Sequence, residues 1–193
     1  HYNHPSIYIW GILNECASDT EYGKSCYKAQ FELIESLDKT RPRSFSSCRF
    51  KTDICFDLVD VVSYNIYPKW YHNTPVAEYL DDLYKWIQTT PGEGKPFLIT
   101  EVGAGAIYGY RTSAKVKWSE EYQVQALEEQ LNAILSYNDC SGVYIWQFCD
   151  VRVTNDWWST RPRTMNNKGI VDEYRRPKLA YEKIFSSVDT YRE

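Results

Sequence analysis

A chain of 193 residues with 43 % hydrophobic and 25 % charged residues suits one globular domain. Its net charge of -4 gives no reason to expect nucleic acid, whose groove needs a basic stripe, and no apolar run reaches the roughly 18 residues of a membrane-spanning helix. The six cysteines form no CxxC pair, which argues against a zinc or redox motif. They are expected to be free thiols in a reducing, cytoplasmic setting, and no N-x-S/T sequon with a permitted middle residue occurs.

In chain order, the run Ile7 to Leu13 predicts a strand buried on both sides, because its apolar residues are nearly continuous. The next segment, 21–38, predicts a helix with Tyr27, Phe31, Ile34 and Leu37 on one stripe, stopped by Pro42. A weak strand follows over 43–48 and a clear one over 59–64 (VDVVSY). Thr74-Pro75 opens a helix carrying Val76, Leu80, Leu83 and Ile87, which Pro91-Gly92 breaks. Phe97 to Thr100 predicts a strand, and a helix from about Ser119 buries Val124, Leu127, Leu131 and Ile134. The last strand is Val143 to Trp146, and a closing helix spans about 177–188.

This βαβα order predicts an α/β fold with helices covering a parallel sheet. A doubly wound sheet would usually place a Gly-rich loop after its first strand, and none is there. Polar residues stand instead just past the strand ends: Asn14-Glu15, Asn65 and Tyr67, Glu101, Gln147 and Asp150. In a (β/α)8 TIM barrel that is the active-site face. Five strands are too few for a barrel of about 250 residues. The expectation is a C-terminal portion of such a barrel, about strands 4–8, apparently truncated at the N-terminal side and filling residues 1–193 as one domain. HYNHPS is not a signal peptide, since no basic region precedes an apolar stretch.

Two strands end in glutamate, GILNE and LITEVGA. Hydrolysis of a glycosidic bond with retention needs two carboxyl groups about 5–5.5 Å apart, one a proton donor and one an ionised nucleophile. Two strand-end glutamates on one barrel rim can meet that spacing; either alone is as readily a surface glutamate. Aromatic residues make up 16 % of the chain, with 17 Tyr and 7 Trp, which suits either a large aromatic core or a cleft that stacks on sugar rings.

The segments NHPSIYIWGILNE, LITEVGAGAIYG, VYIWQFCD and NNKGIVDEYRRPK resemble the catalytic barrel of glycoside hydrolase family 2, most closely its β-glucuronidases. The resemblance runs the length of the chain in the family's order. It implies a retaining exo-β-glycosidase acting on terminal β-glucuronides, with Glu15 as general acid/base and Glu101 as nucleophile. Asn14 would then bond the sugar's 2-hydroxyl, and Tyr67, after Asn65 in NIYPKWY, would donate to Glu101. Asn166 and Lys168, of the segment Asn-x-Lys-Gly, would hold the sugar carboxylate together with Tyr71. Trp146 would floor the site and be followed by a cis peptide. The family's arginine has no residue in exact register: Arg161 and Arg163 flank its place, and Arg163 is assigned to the substrate.

The segment 150–164, with Trp157-Trp158, fits an aglycone-side loop or a domain contact. His1, His4 and His72 have no ligand spacing, so neither a metal nor another cofactor is expected. A carbohydrate is the expected partner, with no nucleic acid or membrane and a possible homo-oligomer. Two other readings remain open. One is a β-galactosidase or another exo-β-glycosidase of the same family. The other is a non-catalytic fragment that binds sugar or assembles, because an open partial barrel exposes apolar edges.

Overall fold

The computed structural model describes residues 3–188, and side chains to residue 184. His1 lies outside them. The elements are β1 (Trp10–Asn14), α1 (Glu21–Leu37), β2 (Arg43–Ser47), β3 (Val62–Asn65), α2 (Val76–Ile87), β4 (Phe97–Val102), α3 (Glu120–Leu135), β5 (Cys140–Ile145), β6 (Val151–Arg152), β7 (Met165–Asn166) and α4 (Leu179–Val188). Five strands form one sheet in the order β1-β2-β3-β4-β5, with β1–β2 and β2–β3 parallel. Sheet order that follows chain order, without reversal, is how a (β/α)8 barrel is wound; a doubly wound sheet reverses at a switch point.

Two compact units divide the chain. The first comprises 1–66, 77–100 and 137–143. Its first helix is set by local chemistry: Thr20 Oγ1 accepts from Gly23 N at 3.0 Å as an N-cap, and Glu21 sits favourably in the first turn. Gly23 is required there, since a Cβ would stand 1.7 Å from the Ala17 carbonyl oxygen. The helix buries Tyr27 and Phe31 against Phe45 of β2, with ring centroids 4.7 and 6.4 Å away, and Phe56 stacks 6.1 Å from Phe45. Phe45→Ala is expected to cost about 3–5 kcal/mol, because the surrounding rings cannot all collapse into the cavity. A lowered urea midpoint would report it. Leu80, Leu83 and Ile87 of α2 are fully buried, as their spacing predicts.

Three expectations change. The first strand is shorter and half-exposed, because β1 lies at one end of the sheet order. Leu37 is exposed at the end of α1. No α-helix links β2 to β3: that connection holds only a 3-10 turn at Phe56–Leu58, and it buries Cys55 and Phe56.

The second unit comprises 67–76, 101–136 and 144–193. Ser119 caps α3 by accepting from Tyr122 N at 3.2 Å. The helix buries Leu127, Leu131 and Ile134, and also Gln123 and Gln130, which the apolar pattern does not reveal. Each glutamine amide ties two loop carbonyls. Gln123 Nε2 donates to Ala104 O (2.9 Å) and Gly169 O (3.1 Å); Gln130 Nε2 donates to Pro68 O (2.7 Å) and Gly103 O (3.3 Å). The short strands β6 and β7 pair antiparallel and carry between them the loop with Trp157-Trp158. Among the described residues no helix is long and apolar enough to cross a membrane.

Candidate active site

In the first unit, β1 delivers Asn14 and Glu15. The β1–β2 register is irregular between Gly11 and Asn14, and Glu15 takes a left-handed backbone with φ 53°. That conformation costs a non-glycine residue on the order of 1–2 kcal/mol and is held by Glu15 N donating to Ser46 O at 2.8 Å. The carboxylate is exposed. Asn65, buried at the end of β3, donates from Nδ2 to Asn14 Oδ1 (2.8 Å) and Glu15 Oε1 (3.0 Å). Thr100 Oγ1 donates to Asn65 Oδ1 at 2.8 Å, which fixes the amide's orientation. Sequence reasoning missed Thr100; its place immediately before Glu101 was the available signal.

In the second unit, Glu101 is buried near the end of β4, and the Tyr67 hydroxyl donates to its Oε2. Tyr71 stands against Tyr67, ring centroids 5.3 Å apart. Lys168 Nζ donates to Tyr71 Oη at 2.9 Å, across 97 residues of chain. The ammonium lies 5.0 Å from the ring centroids of Tyr67 and Tyr71 and 5.5 Å from that of Trp70, a cation–π cage. Lys168 is only 3 % exposed, and burial lowers its ammonium below the ordinary lysine value, against the opposing pull of Tyr71 and Glu101. Burial raises the Tyr71 phenol, but Lys168 and Arg161 outweigh it and bring it below the ordinary tyrosine value. Trp146, partly exposed, follows β5, and its peptide bond to Gln147 is cis, as the resemblance implies.

The two candidate arginines have different partners. Arg163 pairs with Glu173 at 2.5 Å and is exposed, whereas Arg161 Nη2 donates to Tyr71 Oη at 3.2 Å. Arg163 and Thr164 have φ 58° and 57°, so the loop backbone turns just after Arg161. Asn166 is half-buried, its Oδ1 accepting from Lys168 N at 3.3 Å. The neighbouring Asn167, not singled out from sequence, is buried and donates to Pro162 O and Met165 O. All six cysteines are free. Among the described residues no group of three His, Cys, Asp or Glu could hold a metal ion.

The profile of glycosyl hydrolases family 2, TIM barrel domain, matches residues 1–189. The chain belongs to glycoside hydrolase family 2. Among solved structures, it is similar to a GH2 β-galacturonidase from Eisenbergiella tayi bound to galacturonate, at 75 % identity and a TM-score of 0.95. That match covers 100 % of this chain and 34 % of the other. A β-glucuronidase from Ruminococcus gnavus in complex with D-glucuronic acid is 27 % identical, with a TM-score of 0.82, over 98 % of this chain and 33 % of that one. The curated β-glucuronidase of Rattus norvegicus is 33 % identical over 190 residues, 92 % of this chain and 28 % of the relative. This family 2 chain thus spans about a third of the length of the proteins it matches.

Proposed function

We propose that the full-length protein is a retaining exo-β-uronidase, with terminal β-galacturonides its favoured substrates. The observation that carries the uronide reading is Lys168. A buried, caged ammonium whose hydrogen bond goes to a phenol rather than a carboxylate has room in its electrostatics for an anionic ligand. A uronic acid brings that carboxylate at C5; a neutral galactoside does not. Tyr71 and Arg161, joined to Lys168 through the Tyr71 hydroxyl, extend the set of donors.

Glucuronate and galacturonate differ only at C4, which a carboxylate clamp does not read. The preference for galacturonide rests on the 75 % identity to the Eisenbergiella tayi protein, against 27–33 % for the β-glucuronidases above. The shared carboxylate chemistry keeps β-glucuronide as the second reading. In the chemical step Glu101 attacks the anomeric carbon while Glu15 gives its proton to the leaving oxygen. A water deprotonated by Glu15 then hydrolyses the glycosyl ester and frees Glu101. Asn65 orients Glu15, and Tyr67 stabilises the carboxylate form of Glu101 by donating to it.

The direct test is kcat/KM of the full-length protein on p-nitrophenyl β-D-galacturonide, β-D-glucuronide and β-D-galactoside. Galacturonide should be fastest and galactoside slowest. Galactoside as the best substrate would overturn the uronide reading, and glucuronide above galacturonide would select the second. Tyr67→Phe should lower kcat on the preferred substrate roughly 10- to 150-fold, the worth of a hydrogen bond to a charged group, with little change in thermal stability.

A further inference from the structure

Beneath the Asn166–Gly169 turn lies a buried ion pair that the chemistry above does not use. Lys178 Nζ, with a side chain wholly out of solvent, donates to Asp150 Oδ1 (2.8 Å), Ala106 O (2.6 Å) and Asn167 O (3.1 Å). Asp150 Oδ1 also accepts from Gly169 N at 2.9 Å. The pair therefore grips the backbone on both sides of Lys168: the Asn167 carbonyl through Lys178, and the Gly169 amide through Asp150. Lys168's own carbonyl accepts from Gln147 N at 3.0 Å. Gly169 has no room for a side chain, since a Cβ would stand 2.3 Å from Asp150 N. The grip ties the turn to three other segments: the loop after β4, the residue before β6 and the entry to α4.

We propose that Asp150 and Lys178 are positioning residues that set selectivity for an acidic sugar by fixing the turn that carries Lys168. The proposal rests on the uronide reading. Stability alone is a weak reason for such a pair, because well-packed apolar replacements of buried ion pairs are often neutral or stabilising. Burial also pushes the Asp150 carboxyl up to about 6 even with Lys178 beside it, so its charge is incompletely compensated. What the pair does supply is directional hydrogen bonds to the two peptide groups that aim Lys168, which apolar side chains would not.

The test uses the full-length protein with Asp150→Leu/Lys178→Met, and with Asp150→Asn as a milder variant that removes the negative charge holding Lys178 Nζ and Gly169 N. Folding is checked by circular dichroism. Inhibition constants for galacturonate and galactose are measured alongside KM and kcat. The double variant is expected to weaken galacturonate about 10-fold and to raise the uronide KM equally, leaving galactose binding within two-fold and kcat within a few-fold. Asp150→Asn should move the same ratio in the same direction, and it serves as the deciding variant if the double one does not fold. A galacturonate-to-galactose ratio unchanged in the folded variants would overturn the proposal. Lys168→Ala separates the two levels: if it too leaves that ratio unchanged, the uronide reading itself fails.

Discussion

Glu101→Ala is expected to lower kcat roughly 10⁴- to 10⁶-fold, the range seen when essential members of a hydrolase's nucleophilic machinery are removed. The loss should appear on every substrate, because the anomeric carbon has lost its attacking group whatever the rest of the sugar. The product made in the presence of azide identifies the role. In Glu101→Ala the small anion enters the space of the missing carboxylate and yields a glycosyl azide of α configuration. In Glu15→Ala the glycosyl ester on Glu101 still forms when the aglycone leaves easily, and azide then traps it as the β anomer. Proton NMR of the two azides reads the assignment directly. The same anomer from both variants would overturn it, and a β product from Glu101→Ala would show that Glu101 is not the nucleophile. Both variants are expected to fold: Glu15 is exposed, and the Tyr67 hydroxyl that donates to Glu101 belongs to a side chain.

Lys168→Ala should lower kcat/KM on the uronide roughly 30- to several-thousand-fold, corresponding to about 2–5 kcal/mol for removing one partner of a buried, hydrogen-bonded charge pair. The galactoside should change little, so the variant narrows the preference rather than abolishing catalysis. A pH profile gives an independent reading of the same lysine. The ammonium is the form that binds a carboxylate, and burial lowers its pKa below the ordinary value of about 10.4. Uronide kcat/KM should therefore fall as pH rises through that lowered value. Tyr71, itself shifted down and bonded to Lys168, adds to the fall, because a phenolate would repel the sugar's carboxylate. The galactoside profile should lack this alkaline limb. Equal limbs for both substrates would place the titrating group in the catalytic pair instead.

Much of the fold was legible because its signals are local. The 3.6-residue spacing of Leu80, Leu83 and Ile87, and the helix start near Ser119, depend on neighbours within one or two turns. The strand-end glutamates were legible for a related reason: a polar residue that closes an apolar strand lands at the same face in every βα unit. Errors came where a pattern was read without its surroundings. Continuous apolar residues in β1 implied burial on both faces, but exposure depends on which strands flank it. An apolar stripe on α3 hid Gln123 and Gln130, whose burial makes sense only once the loop carbonyls they bond are in place.

The sequence by itself determined the four α-helices and the five strands of the main sheet in their order and, through its resemblance, the family and the pairing of Tyr67 with Glu101. Only the tertiary structure decided which arginine meets Tyr71, where two successive left-handed residues, Arg163 and Thr164, turn the loop. It alone put Thr100 behind Asn65, caged Lys168 among three rings, and placed the Asp150–Lys178 pair under the turn. The physical reason is distance along the chain. Backbone preference acts over a few residues, whereas Lys168 and Tyr71 are 97 residues apart and meet only through the packing of everything between them.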